Sequence, residues 1–396
     1  MHSFNQLNLS SDSLKILKGL KFENPTPIQE KVIPVALQGN DVMGTAQTGS
    51  GKTLSYILPI VEKLRKNVND KFLILAPTRE LSEQVFSVAK IFLGHGKPFK
   101  AINLIGGKGI FSQINQLKKN PQIIIGTPGR INDLLERKSF SLSKCSIVVL
   151  DEMDRMLDMG FGYQVDKIMK QVNKNRQMIM LSATIPAQIR KVSSKYLNNP
   201  VNISIENNDV IETNIKQKVI KTIPNEKVDE LINQIDQRKG SILIFAKTKI
   251  GVDKLVKKLK ANSVKASALH GGMRQNKRSK IMQNFRDERF RILVATDIAS
   301  RGLDVPHIEH IINYDMPQAP EDFIHRIGRT ARAGSVGEAV SFLTQKDTRI
   351  WRSIERLLNK EEFKKKKGNP KNENIPKFKH KRRGRSRNKK KVGGRN

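Results

Sequence analysis

Eight short apolar runs recur along the chain, each ending in a polar or Gly-containing turn. FLILAPT (72–78), QIIIGTP (122–128), SIVVLDE (146–152) and QMIMLSAT (177–184) lie in the first half. SILIFAKT (241–248), KASALHG (265–271), FRILVATD (290–297) and HIINYD (310–315) lie in the second. Their apolar residues are consecutive. A strand with one face in water alternates apolar with polar, so consecutive apolarity asks for strands covered on both faces by helices, as in parallel sheets. Stretches such as SLKILKGL and GVDKLVKKLK (251–260) supply helical patterns between them. The expected class is α/β, with two tandem doubly wound parallel-sheet domains.

The polar, Asn-rich segment IENNDVIETNIKQ (205–217) divides the two series near the midpoint. The expected boundaries are an N-terminal segment over 1–30, a first domain over 31–205, a linker over 206–214, a second domain over 215–360 and a tail over 361–396. The tail carries 16 Lys and Arg against 3 Asp and Glu, a net of +13, and reads KKKKGNPKNENIPKFKHKRRGRSRNKKKVGGRN after its first residues. Such a composition cannot bury a core and is expected to be disordered.

Only the first half carries a phosphate-binding pattern. Residues 46–53 read AQTGSGKT, a Gly-rich turn that ends in Gly-Lys-Thr. Ala46, Gln47, Thr48, Gly49, Ser50 and Gly51 would form the loop whose backbone N–H groups approach the phosphates. Lys52 would then supply a charge to the β- and γ-phosphates, and the Thr53 hydroxyl would ligate Mg²⁺. About a hundred residues later, IVVLDEMD (147–154) reads as a buried strand that delivers two adjacent carboxylates to its C-terminal edge. Asp151 would hold the Mg²⁺ shell and Glu152 would polarise the attacking water. Loop and acid pair together point to nucleotide hydrolysis.

Net charge is +36, from 73 Lys and Arg against 37 Asp and Glu, with a pI near 10.3. That imbalance concerns polyanionic partners rather than fold. The single cysteine, Cys145, rules out an intramolecular disulfide framework, suits a reducing cytosol and reads as a small core residue. The N-terminus lacks an uninterrupted apolar stretch, and no segment has transmembrane length, so a soluble cytoplasmic protein is expected.

These motifs, in this order, resemble those of a DEAD-box RNA helicase of superfamily 2, with two RecA-like domains, across residues 1–360. The short N-terminus, the RMLDMGF segment (155–161) and the basic tail are most similar to the bacterial RhlE-type branch. The resemblance implies ATP and Mg²⁺ as cofactors. KFENPTPIQ (21–29) resembles the Q motif, with Phe22 stacking on adenine and Gln29 bonding its polar edge. Phe4 fits either the isolated upstream aromatic of that motif or a core anchor.

PTREL (77–81), Gly106 and Gly107, and TPGR (127–130) resemble RNA-contact motifs, with Thr78, Arg79, Thr127, Gly129 and Arg130 reaching the strand's backbone. In the second half LIFAKT (243–248) and ALHGGMRQNKR (268–278) resemble further RNA contacts, with Lys247, Thr248, His270, Gly271, Gln275 and Arg278 in reach. ATDIASRGLDV (295–305) resembles motif V: Thr296, Asp297 and Arg301 would face RNA, and Asp304 the ribose of ATP. HRIGRTARAG (325–334) resembles motif VI, with Arg329 and Arg332 as arginine fingers. SAT (182–184) resembles motif III, whose Ser182 and Thr184 would bond the acid motif, chiefly Asp154. Together with His325 these residues would couple hydrolysis to RNA grip.

The resemblance implies RNA-stimulated ATP hydrolysis that opens short duplexes or remodels RNA–protein complexes by domain closure. Single-stranded RNA and short duplexes are the implied partners, with ribosomal precursors or RNA-decay complexes as candidate settings, and the protein acting as a monomer. An ATP-gated RNA clamp or assembly scaffold is the alternative. A DNA helicase or DNA-repair ATPase is disfavoured by the complete Q motif. The DEAD tetrad reads Asp151-Glu152-Met153-Asp154, and the adaptable Met153 is expected to be tolerated with modest effect on motif coupling.

Overall fold

Consecutive apolar residues form strands here because each strand feeds two cores. Along β2 (Lys71–Leu75), Phe72 and Ile74 pack into one cluster while Leu73 and Leu75 pack into another. β5 (Cys145–Leu150) divides Ile147 and Val149 from Val148 and Leu150 in the same way. β6 (Gln177–Ser182) divides Ile179 and Leu181 from Met178 and Met180. Successive side chains point to opposite faces, so a sheet sandwiched between helices needs an apolar residue at every position.

The computed structural model describes residues 3–46, 49–94, 99–205, 215–300, 305, 307–331 and 336–358. Gln47, Thr48, Arg301, Asp304, Arg332, the linker 206–214 and the tail 361–396 lie outside the described residues.

The first sheet adds β1 (Val42–Thr45), β3 (Ala101–Leu104), β4 (Ile123–Gly126) and β7 (Val201–Ser204). Its order is β3-β4-β2-β5-β6-β1-β7, with every pairing parallel. The second comprises β8 (Ile215–Lys221), β9 (Ser241–Phe245), β10 (Ser267–Leu269), β11 (Ile292–Ala295), β12 (Ile308–Asn313) and β13 (Gly337–Leu343). It runs β10-β11-β9-β12-β13-β8, again all parallel. All eight apolar runs lie on strands. Residues 215–217 of the Asn-rich segment begin β8, after the expected linker 206–214.

Strand order sorts the loops that follow the strands. β5, β6 and β1 are neighbours, so the acid pair, SAT and the Gly-rich loop share one stretch of the C-terminal edge. β3, β4 and β2 are neighbours on the other side, and they bring Gly106 and Gly107, Thr127, and Thr78 with Arg79 together. Open parallel sheets bind ligands at this edge, where the strand order reverses. Both sheets belong to one compact unit spanning Met1–Ile354.

The N-terminal segment is tied down rather than loose. Phe4 is buried in the first core and anchors the segment there. The hydroxyls of Ser10 and Ser13 donate to Glu62 Oε1 at 2.8 and 2.6 Å, and the Arg65 guanidinium donates to the same carboxylate at 2.9 Å.

Candidate active site

The Gly-rich turn leads from β1 into the helix Lys52–Lys66. Gly49 and Gly51 sit at φ +87° and +91°, in the left-handed region that a side chain disfavours. A Cβ on Gly51 would lie 2.4 Å from Gln29 Nε2, so the loop closes onto the Q-motif segment only because that residue is glycine. Lys52 is buried and its Nζ donates to the Ala46 carbonyl at 2.8 Å, folded under the loop. Thr53 stands one residue further along the helix.

Across the edge, Asp151 and Glu152 leave β5 in a sharp turn, with Glu152 in the left-handed conformation at φ 51°. A non-glycine residue there is strained, and such strain is held by its surroundings. Asp151 is buried, and burial outweighs the attraction of Lys52 to push its carboxyl up to about 6. Its Oδ2 accepts a 2.7 Å hydrogen bond from the Tyr56 hydroxyl, while Oδ1 is buried without a hydrogen-bond partner among the described residues. A buried anionic oxygen left unpaired is costly, and a cation would relieve it. No group of three or more His, Cys, Asp or Glu that could hold a metal occurs among the described residues. A cation here would therefore be completed by phosphate oxygens and water, the habit of Mg²⁺. The residues fit a metal-bound triphosphate: an ammonium, a hydroxyl, a carboxylate with a free oxygen and a strand-to-helix glycine turn.

Gln29 is buried and spans two motifs: its Oε1 accepts from the Thr26 amide at 3.0 Å and its Nε2 donates to the Gly51 carbonyl at 3.0 Å. One N–H and one lone pair are left for a ligand edge. Phe22 is 46% exposed, as a ring offered for stacking must be.

Asp154 accepts at one oxygen from three donors, the amides of Ala183 and Thr184 at 3.1 Å each and the Thr184 hydroxyl at 3.3 Å. Ser182 departs from expectation. Its hydroxyl donates to the Thr184 carbonyl at 2.6 Å and shapes the SAT turn instead of bonding the acid motif. Met153 is fully buried in the second core with Met156, Val165 and Ile168, and so points away from the acids. Cys145 is buried, and burial pushes its thiol up to about 12, so the small-core-residue reading holds.

On the other stretch of the edge, Thr78 caps the helix Arg79–Leu93, accepting from the Leu81 amide at 3.2 Å. A Cβ on Gly106 or Gly107 would lie 3.0 or 2.5 Å from the Arg79 guanidinium. These glycines thus leave room for the arginine. Thr127 opens the helix Pro128–Glu136, and Arg130 donates to the Lys108 carbonyl at 3.1 Å, with Gly129 exposed beside it.

In the second half Thr248 caps the helix Lys249–Ala261 by accepting from the Gly251 amide at 2.9 Å, and Lys247 is exposed beside it. His270 lies 3.1 Å from Asp253, with Gly271 exposed next to it. Thr296 is buried at the end of β11.

Four expected RNA contacts, Arg79, Gln275, Arg278 and Asp297, bond to protein groups. Gln275 and Arg278 are buried and both meet Glu80 of the first half, at 3.2 and 2.7 Å, and Arg79 reaches Gln275 at 3.4 Å. The Asp297 carboxylate takes both arms of the Arg326 guanidinium, at 2.5 and 2.8 Å. Long polar side chains on neighbouring elements find each other once the chain folds, which spacing along a sequence does not reveal.

Arg326, a third arginine of HRIGRTARAG beside Arg329 and Arg332, has no role that the motif alone assigns. It is buried, donates to Asn313 Oδ1 at 3.1 Å and to the Asp315 carbonyl at 2.6 Å, and lies 4.8 Å over the Phe245 ring. Equally unassigned by any motif is the ion pair between Arg155, just after the tetrad, and Asp322 on the helix Pro320–Ile327, at 2.5 Å. This pair carries the second half to the acid turn. Arg155, Asp322, His325, Arg326 and Arg329 line one small cavity, with the Arg329 Nε donating to the His325 carbonyl at 3.2 Å.

A family model described as DEAD/DEAH box helicase matches residues 26–192, and one described as helicase conserved C-terminal domain matches residues 224–334. The DEAD-box ATP-dependent RNA helicase CshA of Bacillus subtilis is 38% identical over 360 residues, 90% of this chain and 73% of the relative. Among solved structures, S. cerevisiae Dbp5 bound to RNA and ADP BeF3 is similar with a TM-score of 0.82 at 30% identity, over 91% of this chain and 94% of that one. A DEAD box protein from Methanococcus jannaschii is 39% identical over 90% of this chain and 97% of its own, yet its TM-score is 0.53. Each sheet is RecA-like, as in these DEAD-box structures.

Proposed function

This chain belongs to the DEAD/DEAH box helicase family, and on that premise we propose that its edge loops hydrolyse ATP and couple the hydrolysis to local opening of RNA duplexes. The observation that carries the reading is the Arg155–Asp322 pair, which sets the helix Pro320–Ile327, two residues before Arg329, against the Asp151–Asp154 turn. Lys52 would hold the terminal phosphates, and Thr53 with Asp151 would hold Mg²⁺, which when bound would supply positive charge to the phosphates. Glu152 orients the attacking water, fixed in place by its left-handed backbone. Arg329 and Arg332 stabilise charge on the transferring phosphoryl group. Phe22 and Gln29 select adenine, and Asp304 meets the ribose.

RNA lies along Thr78, Arg79, Gly106, Gly107, Thr127 and Arg130 of the first half, and Thr248, His270, Gly271, Thr296 and Arg301 of the second. Asp154, Thr184 and His325 couple the two edges, with Ser182 shaping the turn. Gln275, Arg278 and Asp297 act by positioning. ATP and RNA each bind both halves, so together they favour closure, which bends one strand and parts a short duplex.

The residue boundaries proposed above for segment, domains and tail stand with this reading. The tail adds affinity through phosphate contacts. The protein works as a monomer in the cytoplasm, on ribosomal precursors or RNA-decay complexes. The proposed placement in the RhlE-type branch rests on RMLDMGF (155–161) and the basic composition of 361–396, while the similar relative from Bacillus subtilis is named CshA. Among the described residues no helix is long and apolar enough to cross a membrane.

The test is RNA-stimulated ATP turnover and duplex unwinding by Glu152→Gln. Turnover is expected to fall by roughly 10²–10⁴ with ATP binding retained. Normal turnover would overturn the assignment of the water-orienting residue.

A further inference from the structure

Tyr56 sits one helical turn past Lys52 and Thr53, on the inner face of the helix that opens at the phosphate loop. It is fully buried, and its hydroxyl donates to Asp151 Oδ2 at 2.7 Å. The phenol therefore touches the carboxylate assigned to Mg²⁺, 95 residues later in the chain, from the helix that also carries Lys52 and Thr53.

A buried phenol needs a polar partner in any protein, and a core offers many carbonyls. Here the partner is one oxygen of a buried carboxylate whose other oxygen has no hydrogen-bond partner among the described residues. A carboxylate on a Cβ can rotate. A donor fixed on a rigid helix holds one oxygen and so determines where the other points. Groups that hold a metal ligand by hydrogen bonding commonly change metal affinity by 10–100-fold when removed.

We propose that Tyr56 is a positioning residue for the metal–nucleotide site, holding Asp151 Oδ2 so that Oδ1 faces the cation bound with the triphosphate. The proposal rests on the assignment of Asp151 as the metal-holding carboxylate. It predicts that the ring's volume serves the core and its hydroxyl serves the site. The two roles separate in Tyr56→Phe, which keeps the ring and deletes the oxygen. Because Tyr56 acts through Asp151, its effect disappears when Asp151 can no longer hold a cation.

The measurement is equilibrium binding of a fluorescent, non-hydrolysed ATP analogue to the full-length protein, first in EDTA and then along a Mg²⁺ titration. Tyr56→Phe is expected to bind within about twofold of wild type in EDTA, and to lose roughly 10-fold of the Mg²⁺-dependent gain. Asp151→Asn is expected to abolish that gain, and Tyr56→Phe added to it to cause no further loss. A Tyr56→Phe titration that overlays wild type would overturn the proposal. So would an equal loss with and without Mg²⁺, which marks a packing role. Retention of the full gain by Asp151→Asn would instead remove the reading on which the proposal stands. Thermal melting without ligand checks the fold, and Tyr56→Met repeats the experiment if the Phe variant does not fold.

Discussion

The acids of the two halves are treated differently. In the first half Asp151 is buried with one oxygen unpaired, and its carboxyl is pushed up to about 6. In the second half Asp297 is clasped at both oxygens by Arg326, which three further contacts hold in place. One carboxylate is left short of partners where a ligand is to bind, and the other is satisfied where a surface must keep its shape. A folded chain tolerates an unsatisfied buried group only where something repays its cost. These two carboxylates, one buried and one half-buried, can thus be sorted into ligand-holding and shape-holding by their partners.

Removal of each acid should give opposite signs. Asp297→Ala strands a buried guanidinium and should cost about 3–5 kcal/mol, the effect of breaking a buried pair by deleting one partner. Calorimetric melting reads it, and an unchanged midpoint would dissolve the comparison.

Met153 sharpens it from another side. Its side chain is buried in the second core, so Met153→Ala should open a cavity and cost roughly 2–5 kcal/mol, while ATP turnover per folded molecule changes little. Denaturant unfolding and steady-state kinetics on the same sample separate the two. A large rise in unwinding with normal stability would show that Met153 acts on motif coupling.

Asp151→Asn should stabilise the ligand-free protein near neutral pH. The folded carboxyl sits at about 6, above its ordinary value of 3.8, so the folded state holds its proton more tightly than the unfolded chain. Stability from this group is therefore present below about pH 4 and is lost as pH rises through 6. By pH 7 the loss is roughly 3 kcal/mol, which the neutral amide avoids. Melting scans across pH 4–7 should show the wild-type curve falling relative to the variant. Parallel curves would mean that Asp151 is not held in the state described.

The sequence exposed the central strands and the contiguous motifs, and it hid what depends on distant residues meeting. Central strands are apolar at every position. The edge strands β7 and β8 face solvent along most of their length and carry no apolar run to find. β1 is four residues long and contains Gly44, where a Cβ would lie 2.5 Å from Leu181. Of the site, the Gly-rich loop and acid pair are adjacent residues and could be read directly. The Tyr56–Asp151 bond, the Arg155–Asp322 pair and the clasp of Glu80 by Gln275 and Arg278 join residues 95, 167 and about 195 positions apart. Arg326 had a visible signal, a third arginine in an arginine-rich motif. Its burial could not be seen without the sheet behind it.

The most direct test of cross-half assembly is Arg329→Ala, with ATP affinity and RNA-stimulated turnover measured on the same full-length preparation. An arginine reaching the phosphoryl group from the other half should be worth about 10³-fold or more in turnover, while ATP affinity, set mainly by the first half, stays within about threefold. Unchanged turnover, or a loss that appears wholly as weaker ATP binding, would contradict an active site completed from both sheets.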